Sequence, residues 1–279
     1  MALNEKTSAE LKQTYYVLHR KSYRENSQII DLLCEKQGRF SALYRVSKKQ
    51  PSLQPFIPYQ MQFSGRGDLK YCQHVEIHYP EDPKTEDSKA EIPKFETALH
   101  LESNSDSQDF PSESLKGKSL KGRNVYCGFY LNELIMRLTW KDEPQKDLFL
   151  IYQQTLQGLL LLDNDQQSEP FLRRFEFHLL TILGYQYNWQ QDSDCRDIQA
   201  DQYYNFDPAA GFRALNSEHY GNRPSASGLS FPGEAILAIA ANDWQHTMSW
   251  KVAKKIARLA LQPLLGHKPL TSRALFQTL

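Results

Sequence analysis

Basic and aromatic side chains are interleaved in the first eighty residues of this chain, and such a mixture can bind a nucleic-acid strand. Lysine and arginine neutralise backbone phosphates, and aromatic rings stack on exposed bases. Five aromatic residues between Tyr15 and Tyr44 lie among the cations. A solvated surface explains any single cation more often, but the whole set favours binding. We therefore predict a DNA contact through Arg20, Lys21, Arg24, Arg39, Arg45, Lys48, Lys49, Arg66 and Lys70.

A second group of cations lies near the end of the chain, where the 36 residues after Asp243 contain six Lys or Arg and no Asp or Glu. Four of them have spacings of three and four residues, which places them on one face of a helix with alanine and isoleucine opposite. Such a stripe can meet DNA, a membrane surface or only water. The absence of acidic residues favours a polyanion, so the predicted DNA contact also includes Lys251, Lys254, Lys255 and Arg258.

The neutral total charge of the 279 residues hides an uneven distribution. Residues 1–80 carry 12 Lys or Arg against 7 Asp or Glu, and residues 81–122 carry 6 against 10. The remaining residues carry 15 against 16. A zero net charge therefore does not exclude a polyanionic partner.

Catalytic and metal-binding motifs give no positive signal. We find no nucleophile elbow, no phosphate-binding loop of the Walker type and no paired acid motif, so we expect a protein that is not an enzyme. His74, Glu76 and His78 would share one face of a strand and could form a metal site. Apolar residues alternate with them, so an ordinary amphipathic strand explains the spacing better.

Cysteine usage predicts neither a zinc site nor a disulfide framework. Cys34, Cys72, Cys127 and Cys195 lie far apart without a C-x-x-C pair. We expect a reducing compartment, no bound metal and no cofactor. Since the first residues lack an apolar export segment and the apolar run Leu159–Leu162 is far shorter than a membrane span, we expect a cytoplasmic protein.

Alternating β-branched and aromatic residues predict five short strands before residue 80. A small closed barrel is the economical arrangement, either an OB-fold or an SH3-like barrel, and strand count alone does not separate the two. The predicted strands are Tyr15 to His19, Ser27 to Cys34, Arg39 to Val46, Phe56 to Phe63 and Leu69 to Tyr79.

After the barrel, composition predicts a linker and then a helical domain. Residues 81–122 are acidic and poor in apolar side chains, which is typical of a disordered linker or insertion. Helical periodicity dominates residues 123–279, except for residues 185–232, which we predict to be irregular. The predicted helices are Val125 to Thr139, Leu148 to Leu162, Ser168 to Gly184, Glu234 to Met248 and Trp250 to Gln262, the last ending at Pro263.

Several sequence motifs, in order, resemble those of the RecO family of bacterial DNA repair and recombination mediators. They are Tyr16-Val-Leu-His19, Leu53-Gln-Pro-Phe56 followed by Gly65-Arg-Gly-x-Leu-Lys70, Tyr126-x-Gly128-x-Tyr130-Leu-Asn-Glu-Leu134, Leu172-Arg-Arg-Phe-Glu176 with Leu183-Gly-Tyr185, and Leu265-Gly-x-Lys-Pro-Leu270-x-Ser-Arg273. Together they span the chain except for residues 81–122. Several unrelated motifs in the same order are far more specific than any one of them.

This resemblance implies an α+β protein with two domains: a five-stranded OB-fold barrel for DNA in residues 1–80 and a mostly helical domain for partners in residues 123–279. It further implies binding of single- and double-stranded DNA, annealing of complementary strands and loading of RecA onto DNA covered by single-stranded-DNA-binding protein, together with RecR. The expected location is the nucleoid, with no membrane partner.

The resemblance also implies that the helical domain binds the acidic C-terminal tail of the single-stranded-DNA-binding protein. Such a ligand needs a guanidinium beside an apolar pocket. Arg173 and Phe177 lie four residues apart on one helical face, and Arg174 adjoins them. The competing interpretation pairs both arginines with Glu169 or Glu176 and buries the phenylalanine.

Two features depart from the family pattern. Many members carry a four-cysteine zinc site after the Leu-Gly-Tyr motif, whereas this chain has only Cys195 there. The acidic linker is also longer than the family requires. An alternative function from a different class is a protein-interaction adaptor whose OB-fold does not bind DNA, and a nucleic-acid hydrolase is a third.

Overall fold

The computed structural model describes residues 13–65, 69–78, 116–162, 168–215, 230–244 and 248–276. Arg66 and residues 81–115 of the expected linker lie outside the described residues. The chain divides into two compact units. One contains the N-terminal strands, the first two helices and the residues from Leu270 onward, and the other contains Glu169–Pro269. The sequence-based domain boundary at residue 123 differs from this division, since the helices that follow it cluster with the strands.

Five strands form a closed barrel in the first unit. The strand order is β1-β2-β3-β5-β4, with β4 closing on β1, and all neighbouring strands are antiparallel except β3 and β5. This arrangement confirms the prediction of an OB-like barrel. The strands are β1 (Thr14–Tyr23), β2 (Ser27–Cys34), β3 (Gly38–Arg45), β4 (Pro58–Ser64) and β5 (Lys70–Ile77).

The alternation of side chains along the strands fills the barrel with apolar residues. Tyr15 and Val17 of β1 point inward, where Tyr15 meets the rings of Phe40 and Phe63 edge to face at 6.1 and 5.2 Å. The register between β1 and β2 shifts between Val17 and His19, as in a β-bulge. Beyond this shift β1 continues for five exposed residues, so the strand extends past the barrel core.

Two helices, α1 (Arg123–Leu138) and α2 (Lys146–Leu161), pack against the barrel within the same unit. The Asn132 side chain donates to the carbonyl of Leu18 at 2.9 Å and accepts a hydrogen bond from the Tyr152 hydroxyl at 2.7 Å. Burial raises the pKa of Tyr152 well above its usual value, so this hydroxyl remains a donor. This network gives a hydrogen-bond donor to the Leu18 carbonyl, which lies where the register between β1 and β2 shifts.

The close approach of α1 to the loop after β3 requires a glycine in the helix. A Cβ on Gly128 would lie 2.7 Å from the Phe56 ring and 2.9 Å from the Leu120 side chain. Phe56 itself adopts a positive φ of 67°. The Leu53-Gln-Pro-Phe56 and Tyr126-x-Gly128 motifs therefore meet in space, which gives both sequences a packing role.

A short helix, α6 (Thr271–Leu275), ties the end of the chain to α1. The Glu133 carboxylate accepts four hydrogen bonds from Thr271 and Ser272, two from backbone N–H groups at 2.8 Å and two from hydroxyls at 2.9 and 2.5 Å. Burial raises the pKa of Glu133, but these hydrogen bonds outweigh it and leave the pKa below its usual value. The sequence analysis did not identify this helix.

The second unit contains the helices α3 (Ser168–Ile182), α4 (Gly233–Ala240) and α5 (Ser249–Leu265). Helix α5 continues through Pro263 and ends at Gly266, whose φ is 64°, so the predicted end at Pro263 was wrong. A proline in the last turn removes one hydrogen-bond donor without stopping the helix, whereas the glycine provides the left-handed conformation that ends it. Helix α4 ends eight residues before the predicted Met248.

The prediction that residues 185–232 are irregular was wrong. Three short strands form a sheet of order β7-β6-β8, with bounds β6 (Tyr203–Asp207), β7 (Gly211–Ala214) and β8 (Ser230–Pro232). Each strand has only three to five residues, and their buried aromatic residues are separated by polar ones, so the alternation covers too few positions to stand out.

No helix among the described residues is long and apolar enough to cross a membrane.

Candidate nucleic-acid interface

The β1–β2 turn and the β3–β4 loop meet at one end of the barrel. Ser27 pairs with Tyr23 of β1 on one side and with Arg45 of β3 on the other, and the N–H of Val46 donates to the carbonyl of Asn26 at 2.9 Å. Six predicted DNA contacts are therefore brought to this end, and all six are exposed. We call this surface the basic end: Arg20, Lys21, Arg24, Arg45, Lys48 and Lys49.

Two tight turns present the cations of the basic end. Arg24 adopts a positive φ of 56° in the β1–β2 turn, and its guanidinium lies 5.2 Å from the centre of the Tyr23 ring, which is 37% exposed. Lys48 and Lys49 occupy a turn closed by reciprocal backbone hydrogen bonds between Ser47 and Gln50 at 2.8 and 3.1 Å. A cation beside an exposed ring and two adjacent lysines at a turn suit phosphates and bases.

Arg20 holds the loop that carries these lysines. Its guanidinium donates to the Ser52 hydroxyl at 2.8 Å and to the Leu53 carbonyl at 2.5 Å. Leu53 is buried in the barrel core, and the Tyr44 hydroxyl donates to the neighbouring Pro51 carbonyl at 2.9 Å. The loop is therefore anchored at its root, and Arg20 has a positioning role beside any contact with a phosphate.

Arg39 and Lys70 do not belong to the basic end. Arg39 is the second residue of β3, at the opposite end of the strand from Arg45. It is buried and donates to the Thr139 carbonyl at 2.6 Å. Burial lowers the pKa of this guanidinium. Lys70 is half-buried and donates to Gln37 at 2.7 Å. Arg39 is therefore corrected from a DNA contact to a structural residue that joins β3 to the end of α1. Arg66 lies outside the described residues.

Helix α5 presents a basic stripe in the second unit. Lys251, Lys255 and Arg258 are exposed on one face, and apolar residues from Val252 to Leu261 are buried on the other. Lys254 differs, because it is half-buried and its ammonium forms an ion pair with the Glu169 carboxylate. We use the name α5 stripe for the three exposed cations, Lys251, Lys255 and Arg258.

A further exposed group of cations, which was not predicted from the sequence, lies just before and at the start of α1. Lys116, Lys118, Lys121 and Arg123 are all exposed. The chain contains no Asp or Glu between Glu113 and Glu133. Residues 81–122 are acidic in total, so their net charge hides these cations. A charge count over residues 114–123 alone shows only basic residues.

The predicted pocket for an acidic tail is closed at the predicted residues. Arg173 is 4% exposed, and its guanidinium lies 2.8 Å from the Glu176 carboxylate and 3.6 Å from that of Glu169. Phe177 is buried against Trp189, with ring centres 4.7 Å apart. Arg174 is half-buried, and burial lowers its pKa. Arg173 therefore pairs with carboxylates of its own helix and not with an external ligand. The prediction that Arg173 and Phe177 line an accessible pocket is corrected, because both side chains are buried.

Metal ligands are not clustered in the described part of the chain, where no group of three or more His, Cys, Asp or Glu side chains could hold a metal ion. His74 and Glu76 interact with each other at 2.8 Å. Cys195 is exposed and free. The absence of zinc stays a prediction, which metal analysis of the purified protein would test.

The closed five-stranded barrel, with strand order β1-β2-β3-β5-β4, defines a protein of the OB-fold class. Models of two family domains match the chain: "Recombination protein O N terminal" over residues 9–80 and "Recombination protein O C terminal" over residues 120–274. The chain therefore belongs to the RecO family, as its motifs predicted. Membership of this DNA repair family supports a role in recombination repair.

Similar proteins cover nearly the whole chain. DNA repair protein RecO of Marinobacter nauticus is 33% identical over 267 residues, which is 94% of this chain and 92% of that protein. The protein of the same name from Pseudoalteromonas translucida is 30% identical over 94% of this chain and 95% of its own length. The one from Chromobacterium violaceum is 30% identical over 96% and 95%.

Proposed function

We propose that this chain is a recombination mediator that binds single- and double-stranded DNA without sequence preference. The observation that carries the proposal is the convergence of six exposed cations at one end of an OB-like barrel in a chain of the RecO family. The structure shows no ion pair for these six within the described residues, so their charge is available for phosphates. The α5 stripe is a second proposed contact.

Strand annealing follows from the same physical properties. Two polyanionic strands repel each other, and protein cations that neutralise phosphates lower that repulsion. Contacts made to the backbone leave the base edges free to pair. Two separate basic surfaces, the basic end and the α5 stripe, can each hold a strand, and no catalytic group is needed.

The further steps of the proposed role concern protein partners. We propose that the chain helps RecA to replace single-stranded-DNA-binding protein on DNA, together with RecR, at the nucleoid in the cytoplasm. The names of the similar proteins support DNA repair. Since Arg173 and Phe177 are buried, the acidic tail of the single-stranded-DNA-binding protein must dock at other residues.

Titration of labelled single-stranded and duplex DNA at about 50 and 200 mM salt tests the proposal. We expect both forms to bind, with affinity falling steeply as salt rises, because phosphate contacts release counterions. An adaptor that does not bind DNA would show no retention at either salt concentration. Degradation of the DNA that stops on chelation would instead indicate a hydrolase.

A further inference from the structure

We propose that Lys116, Lys118, Lys121 and Arg123 form a second nucleic-acid contact in the barrel unit. This inference deepens the proposed function and rests on it. We call this group the α1 entry cations. Their ligand is the phosphate backbone of the same DNA that contacts the basic end.

Within the described part of the chain, no carboxylate forms an ion pair with an α1 entry cation. No acidic residue occurs between Glu113 and Glu133. Other exposed cations of the same unit behave differently. Lys141 lies 3.6 Å from the Asp31 carboxylate, and Lys146 lies 3.6 Å from that of Glu35. A group of four uncompensated cations produces a local positive potential that attracts a polyanion.

The backbone that carries the α1 entry cations is held in place by the residues between them. Leu120 is buried beside Phe56 and Gly128. Asn124 is also buried, and its amide donates to the Leu159 carbonyl at 3.2 Å. Binding to cations on an anchored segment costs less conformational entropy than binding to cations on a flexible segment, because the flexible segment must become ordered when the ligand binds.

Aromatic rings lie beside Arg123, the last of these cations. The Arg123 guanidinium is 5.7 Å from the centre of the Phe276 ring, which meets Tyr126 edge to face at 5.8 Å. Phe129, one turn further along α1, is 38% exposed and contacts Phe56. Cations next to accessible rings suit a nucleic acid better than an acidic peptide, because bases add stacking to the phosphate contacts.

The β3–β4 loop connects the α1 entry cations to the basic end. This loop carries Lys48 and Lys49 near its start, and its Phe56 packs beside Leu120. Eight residues separate Lys48 from Phe56, so the two positions are at most about 30 Å apart. That distance corresponds to about nine base pairs of duplex at 3.4 Å per step. One DNA molecule of modest length can therefore contact both surfaces.

The test compares three full-length variants on a duplex of about 25 base pairs. The first replaces the α1 entry cations: Lys116→Gln, Lys118→Gln, Lys121→Gln and Arg123→Gln. The second replaces five cations of the basic end, Lys21, Arg24, Arg45, Lys48 and Lys49, by Gln. The matched control replaces four exposed cations outside the proposed surfaces by Gln: Lys36, Lys146, Arg196 and Arg213.

We expect the first variant to lower the slope of log affinity against log salt by about 1.8 to 3.6, or about 0.9 for each of two to four phosphates that are no longer neutralised. Affinity at 0.1 M salt should then fall about 60-fold or more, while the control stays within about twofold of the unmodified protein. The second variant should lose affinity in the same way on this duplex, because both surfaces contact the same DNA. If the fourfold variant does not fold, the double variant Lys116→Gln, Lys118→Gln replaces it in the test, because it keeps the Arg123 contact with Phe276.

An unchanged salt slope in the folded variant would overturn this inference. Loss of binding to poly-L-glutamate with DNA binding intact would assign the surface to an acidic protein partner and would also overturn it. Failure of the unmodified protein to bind DNA is a different result, since it would contradict the proposed function itself.

Discussion

The basic end of the barrel and the surroundings of Arg173 both contain arginine next to aromatic residues, yet the structure uses them in opposite ways. At the basic end the cations lie on turns and extended strand ends, and the described residues show no carboxylate paired with them. Arg173 lies in the interior of α3, between Glu169 and Glu176, and forms ion pairs with both. A carboxylate three or four residues away on the same helix therefore forms an ion pair with an arginine and makes it unavailable to a ligand.

Removing the Arg173 side chain should have the largest effect of the changes that follow from this comparison. Arg173→Ala removes the ion pair that the guanidinium forms with the fully buried Glu176 carboxylate. We expect a loss of about 3 to 5 kcal/mol in the free energy of unfolding, measured by urea denaturation. The double variant Arg173→Met, Glu176→Leu is the control and should recover most of the loss, because it removes both charges. A loss below about 1 kcal/mol in the single variant would contradict the structural role.

Neutralising the turn of the basic end should change binding and not stability. Lys48→Gln with Lys49→Gln removes two exposed charges that lack carboxylate partners among the described residues. We expect DNA affinity to fall about 25- to 60-fold at 0.1 M salt, with a slope lower by about 1.4 to 1.8. Stability should change by less than about 0.5 kcal/mol. Replacing the exposed Lys36 and Lys146 by Gln is the matched control, and an equal effect there would show that only net charge matters.

Glu133 offers a half-buried carboxylate that accepts hydrogen bonds from neutral donors and not from an arginine. Glu133→Gln should cost about 1 to 2 kcal/mol, since a neutral amide oxygen accepts these hydrogen bonds less strongly than a carboxylate. Because the folded pKa is lowered, the stabilisation is fully present above the unfolded pKa of about 4.3 and is lost as pH falls through the folded pKa. The stability gap between the two proteins should therefore shrink below about pH 4 in denaturation at several pH values. A gap that stays constant from neutral pH to pH 3 would contradict the depressed pKa.

The smallest expected effect is a difference in DNA binding between variants of two adjacent lysines on α5, Lys254 and Lys255. Lys255→Gln removes an exposed charge of the α5 stripe and should lower DNA affinity about 5- to 8-fold at 0.1 M salt. Lys254→Gln removes the partner of Glu169 and should leave the salt slope unchanged. Its cost to stability should be only about 0.3 to 1 kcal/mol, as for other partly exposed pairs. Equal slopes for the two variants would show that the α5 stripe does not contact DNA.

Local patterns were sufficient for most of the fold. Runs of β-branched and aromatic residues bounded by turns predicted β2 and β3 within one residue of their observed bounds, and helical periodicity located α1 and α2 within two residues. These signals depend only on neighbouring residues. They failed for β6 to β8, where each strand is too short for a pattern, and for α6, where the helix is fixed by the distant Glu133.

The sequence by itself determined which residues are charged and which segments form strands or helices, and its motifs determined the family. The tertiary structure alone decided which charges face water. Arg39 is buried because Thr139, one hundred residues away, accepts its hydrogen bond, and no local pattern predicts that contact. The basic end exists because β1 and β3 both pair with β2 and bring their turns together. Burial and convergence depend on contacts between distant residues, whereas periodicity reports only on the immediate neighbours of a residue.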